Sequence, residues 1–179
     1  MRGIHLIARR AMEASTIIVA IGILTSCSEP TDKKEYDTPK ALCGVSVDQN
    51  LIAPFLPSGE RIEIQEKNPS PNLKRCQVNV DGKMALIASE EWWEGGDDII
   101  DVAKGNPEVD SAEPTDDGTY IYSRTGGVGR VKSCTNPDHP DQALYTTIRA
   151  DSSNKIDEST MQKLIAAYTK AVGRSSACQ

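Results

Sequence analysis

Aromatic residues are scarce in this chain, 4% of the total with Phe55 the single phenylalanine. A core must therefore come mainly from Val, Ile, Leu and Ala. No Cys-x-x-Cys pair occurs and there are two histidines, which excludes the usual structural zinc spacings. There is no Gly-x-Ser-x-Gly elbow of the serine hydrolases. "RTGGVGR" is not followed by Gly-Lys-Ser/Thr, so it reads as a hairpin and not as a phosphate loop. No apolar run reaches the ~20 residues of a membrane helix. Basic residues are too few to coat a nucleic acid: 20 Lys and Arg stand against 26 Asp and Glu, a net charge of -6.

The chain does begin with a short apolar run, Ile17 to Leu24, preceded by Arg2, Arg9 and Arg10 and followed by Thr25, Ser26 and Cys27. A charged start, a short apolar centre and small residues before a break are the three parts of a secretory signal. Cys27 after Leu-Thr-Ser resembles the bacterial lipobox, in which the thiol takes a diacylglycerol and becomes the new N-terminus. Residues 1–26 are thus expected to be a lipoprotein signal peptide and Cys27 a membrane anchor on the extracytoplasmic face. Their removal leaves 17 basic and 25 acidic residues, a charge of -8. An anionic membrane surface would repel such a chain, so the lipid must hold it, and about 0.8 kcal/mol per buried methylene is ample.

Four cysteines then remain, Cys43, Cys76, Cys134 and Cys178. An even number in an oxidising compartment points to disulfides. Pairing Cys43 with Cys76 and Cys134 with Cys178 ties a helix end to a strand within each half of the chain.

Composition divides the remainder of the chain. Ser28 to Ala41, "SEPTDKKEYDTPKA", has mixed charge, two prolines and no apolar period, and reads as a disordered tether spanning residues 27–41 with its anchor. One α+β domain is expected from Leu42 to residue 179. Ser46 to Gln49 fits a capping box for a short helix stopped by Pro54 and Pro57. Period-two alternation marks strands at Arg61–Gln65 and Cys76–Val80, with Asp81-Gly82 turning into Lys83–Ser89. A brief helix comes after Asp97-Asp98 and stops at Gly105. Strands are expected at Thr119–Arg124, Gly129–Thr135 and Ala143–Ala150, with Gly126-Gly127 as a turn. Met161, Leu164, Ile165, Tyr168 and Val172 form the stripe of an amphipathic helix from Asp157 to about Gly173. The order is α-β-β-β-α-β-β-β-α, an antiparallel sheet of about six strands flanked by helices. Strict alternation would place Cys134 on the face of Lys132 and Arg130, which calls for a bulge.

"LTSC", the polar tether, "LCGV", "RCQVNVDGK", "RVKSC" and the closing "SSAC" together resemble a family of small secreted actinobacterial lipoproteins of unknown function. The resemblance implies a Mog1/PsbP-like sandwich. It carries no catalytic residues and no cofactor.

Candidate sites are few. His139 in "NPDHPD" could serve Ser123 or Ser133 as a base, but reads as a solvated loop histidine. Glu90 to Asp117 carries eleven carboxylates and one lysine, Lys104. Aligning Gly118 with the turn glycine of a calcium loop puts Glu113, Thr115 and Asp117 at ligand positions but Arg124 where the bidentate glutamate belongs, so a charged connection is expected and no metal. Trp92 and Trp93 should point oppositely, one filling the core and one exposed beside Glu94, Asp97, Asp98 and Asp101, where it would meet a partner. These features suggest a non-catalytic binding module for an extracytoplasmic protein, cell-wall or small-molecule partner. The alternative is a carrier of a small apolar ligand, with a His139 hydrolase more remote.

Overall fold

The computed structural model describes residues 33–109, 111–153 and 156–178. The expected signal peptide and the Cys27 anchor lie outside the described residues. The first described stretch is already docked, which corrects the boundary expected at Leu42. Lys34 bridges Gly59, the Glu35 N–H donates to the Gly59 carbonyl at 2.8 Å, and the Tyr36 hydroxyl donates to the Pro57 carbonyl. Backbone pairing and one half-buried ring order a segment that has no apolar period to announce it.

Strands β1 (Ala41–Leu42) and β2 (Val45–Ser46) make a small hairpin over Cys43 and Gly44, both at positive φ. Because Ser46 pairs with Ala41 there, it cannot cap the first helix. Asp48 does so instead, accepting from the Asn50 N–H at 2.9 Å at the start of α1 (Gln49–Ile52).

Six strands form the main sheet: β3 (Ile62–Ser70), β4 (Leu73–Val80), β5 (Lys83–Glu94), β6 (Tyr120–Tyr122), β7 (Gly126–Arg130) and β8 (Gln142–Ala150). They run antiparallel in the order β3-β4-β5-β8-β7-β6. The fold is therefore the expected α+β sheet flanked by helices. Asp81 and Gly82 take φ of 49° and 76°, the double positive φ that a two-residue hairpin needs. β5 is central, and Ala85 to Glu90 are all buried.

One strand differs in position. The glycines of "RTGGVGR" lie in β7 itself, and the turn falls earlier, where the Ser123 hydroxyl accepts from the Thr125 and Gly126 N–H groups. Close packing explains this. A Cβ on Gly127 would stand 3.0 Å from Ile165 Cβ, and one on Gly129 2.2 Å from Thr169 Oγ1. Glycine here seats a helix against the sheet. Since β7 ends at Arg130, alternation does not reach Cys134, and no bulge is needed to turn its thiol.

Helix α2 (Ile99–Lys104) and helix α3 (Glu158–Val172) take opposite faces. On the α3 face, Leu86, Ala88, Leu144, Ile148, Leu164 and Ile165 belong to the large core. On the α2 face, Ile99, Val102, Ile121, Val128 and Tyr145 make a smaller one. Disulfides join Cys43 to Cys76 and Cys134 to Cys178, with Cα atoms 5.6 and 4.8 Å apart. Among the described residues, no helix is long and apolar enough to cross a membrane.

Candidate functional site

The pleat separates the two tryptophans. Trp92 pairs with Leu144 on the α3 face, and Trp93 pairs with Ala143 on the α2 face. Both are half-buried, which corrects the expectation of one core and one exposed indole. Trp93 packs with the α2 core, and its Nε1 is the one buried side-chain N or O among the described residues without a hydrogen-bond partner. Trp92 instead stacks on His139, ring centroids 4.4 Å apart and planes within 10°.

The acids expected to rim an exposed tryptophan gather at α2, away from Trp92. Asp98 and Asp101 form a capping box, and Lys104 pairs with Asp101 at 2.8 Å. The Asp97 carbonyl accepts from the Tyr145 hydroxyl at 2.9 Å, while Glu94 is exposed at the end of β5. Helix formation accounts for the carboxylates of Asp98 and Asp101, while Asp97 contributes its backbone carbonyl to loop closure. Asp117 is similarly engaged: hydrogen bonds from Thr119 and Thr115, and Lys132 at 3.2 Å, hold its carboxyl far below the usual range. Among the described residues, no group of three His, Cys, Asp or Glu is arranged to hold a metal.

His139 is likewise committed. Its Nδ1 meets Gln142 Oε1 at 2.7 Å and its ring lies on Trp92. Ser123 donates to the Glu108 carbonyl at 2.6 Å, and neither it nor Ser133 hydrogen-bonds the imidazole.

What the structure builds beside Trp92 is a cavity of about 290 Å³ at one end of the α3 face. Its floor is the sheet, through Lys74, Glu90 and Trp92. Its walls are the Cys43–Val45 hairpin and the turn Ser175–Ala177. Both disulfides bear on those walls, because Cys43 lines the cavity itself and Cys178 follows Ala177. The Asn136 side chain adds a hydrogen bond to the Ala177 carbonyl at 3.1 Å.

Glu90 is the unusual member. It is 7% exposed, and among the described residues nothing donates a hydrogen bond to its carboxylate. Lys74 lies opposite it in register but is paired to Glu66 at 3.4 Å. On its other side is Thr146, whose hydroxyl meets Thr169 at 2.7 Å. Burial raises the pKa of Glu90; Lys74 lowers it in part and Glu66 adds to the rise. The Tyr168 hydroxyl, buried on α3, is pushed well above its ordinary value by burial and by the nearby Glu90.

Sequence reasoning counted Glu90 only as the first of many acids. The signal was available in "MALIASEEWW": Leu86, Ala88, Glu90 and Trp92 share one parity, which places a carboxylate on the core face of a central strand. No protein family, curated protein or solved structure matches the chain.

Proposed function

We propose that this protein is a non-catalytic binding module, held at the extracytoplasmic face of the membrane by a lipid on Cys27, whose ligand site is the cavity between Trp92 and Glu90. The observation that carries this reading is the unpaired carboxylate of Glu90, more than nine-tenths buried and opening onto that cavity. The Glu90 carboxylate has no protein donor among the described residues and reaches the cavity, so a ligand seated there supplies its partner.

Two further features support binding over chemistry. His139 stacks on Trp92 and meets Gln142, and among the described residues no serine or threonine hydroxyl hydrogen-bonds its imidazole. The cavity wall is polar, with Asn72, Lys74, Glu90 and the two serines, where a carrier of an apolar ligand would present Leu, Ile and Val. The two disulfides fit an oxidising compartment, as does the lipobox. Membership of the secreted lipoprotein family and its Mog1/PsbP-like fold belongs to the same proposal.

Trp93→Phe leaves Trp92 as the single indole and so as a reporter of the cavity. Titrating that variant with the small-molecule fraction of the host cell envelope should give a saturable change in emission that Glu90→Gln abolishes. An unchanged emission, or the same response in Glu90→Gln, would contradict the assignment.

A further inference from the structure

We propose that the Trp92–Glu90 cavity takes a small primary-ammonium compound that also carries hydroxyl groups, with Glu90 as the partner of its nitrogen. This rests on the binding-module reading above and names the ligand chemistry.

The wall decides the charge. Lys74 and Glu90 are the charged side chains that line the cavity, and Lys74 is paired at 3.4 Å with Glu66 outside the lining, which leaves Glu90 without an ion pair among the described residues. A monocation completes this set. An anion would meet the Glu90 carboxylate, and an apolar molecule would seal Glu90 away with no donor at all. A primary ammonium offers three N–H groups and no acceptor, which matches a carboxylate that has no protein donor.

Aromatic geometry points the same way. Trp92 lines the cavity and is fixed from one side by the His139 ring. Indoles are the strongest aromatic partners of cations, and a held indole loses little freedom on binding.

The rim calls for hydroxyls. The side chains of Asn72 and Ser176 line the opening and have no protein hydrogen-bond partner among the described residues. An amide and a hydroxyl can each both donate and accept, as a ligand hydroxyl requires. A volume of about 290 Å³ limits the ligand to one small molecule, of the size of an amino alcohol or an amino sugar.

The test uses full-length protein in detergent, titrated by calorimetry with ethanolamine and D-glucosamine against their neutral counterparts ethylene glycol and D-glucose. The amines should bind at least about tenfold more tightly than the neutral compounds, a preference that charge-assisted hydrogen bonding supplies. Glu90→Gln should remove that preference while its melting curve shows a folded protein. Equal binding of glucosamine and glucose, or an amine preference that survives in Glu90→Gln, overturns the ammonium assignment and leaves a binding module of other specificity. No binding by either amine also overturns it, and the binding-module reading then stands or falls on the envelope titration with Trp92 emission.

Discussion

His139 lies flat on Trp92, with 4.4 Å between ring centroids, and so joins the loop after Cys134 to the end of β5. A stacked pair of this kind contributes about 0.5–1.5 kcal/mol beyond its buried area. His139→Ala should therefore lower stability by about that amount. In a Trp93→Phe background it should also shift the emission of Trp92. Emission identical to the parent would mean that the stack does not hold the indole.

Glu90 gives a prediction with a definite sign. Its folded pKa is raised above the ordinary 4.5, so between those two values the folded state binds more protons than the unfolded one. Stability from this group then falls as pH rises through that window, and the penalty is complete above the folded pKa. Glu90→Gln should accordingly be more stable than wild type at neutral pH, and the gain should vanish below about pH 4. Denaturant titrations at several pH values measure this. A Glu90→Gln protein less stable at neutral pH would show that the carboxylate has a partner.

Gly129 sits beneath α3, where a Cβ would stand 2.2 Å from Thr169 Oγ1 and 3.1 Å from Thr146 Oγ1. Gly129→Ala should destabilise by about 1–3 kcal/mol through overpacking. Thr169→Ala should cost less in the Gly129→Ala background than alone, because the two share one space. Simple additivity in the double-mutant cycle would place the strain elsewhere.

The two disulfides close loops of 33 and 44 residues in separation. On the chain-entropy account each stabilises by about 4 kcal/mol. Cys43→Ala and Cys76→Ala should therefore cost similar amounts, and the double variant little more than either. Loss of this bond should also weaken ligand binding, since Cys43 lines the cavity. A peptide map linking Cys76 to Cys134 would contradict the pairing.

Cys27→Ala should release the protein from the membrane fraction or leave the precursor uncut. Fatty-acid labelling of the variant as strong as that of wild type would remove the anchor from the account.

The sheet was largely legible because its strands alternate and its main turn is spelled Asp81-Gly82. Helix α3 was legible because a single stripe recurs at the helical period from Met161 to Val172. β7 was misplaced because glycine has no side chain to show a period, and a Gly-Gly pair reads equally as a turn or as a seat for a helix. What decides between them is the approach of Ile165 and Thr169, some forty residues later, which no local rule contains. The docking of Lys34 and Tyr36 was hidden for a related reason: backbone pairing to Gly59 leaves no trace in composition. The acids near Trp93 drew attention by number, yet Asp98 and Asp101 are used by the helix they start. Glu90, one acid among eleven between Glu90 and Asp117, is distinguished only by its parity with Leu86 and Ala88.

The central claim, that the Trp92–Glu90 cavity is built to be filled, is tested most directly by native mass spectrometry of protein purified from its own host, wild type beside Glu90→Gln. The account predicts a small-molecule adduct of single stoichiometry on the wild-type protein that is absent from Glu90→Gln. Wild-type protein with no small-molecule adduct, or the same adduct on both proteins, would contradict it.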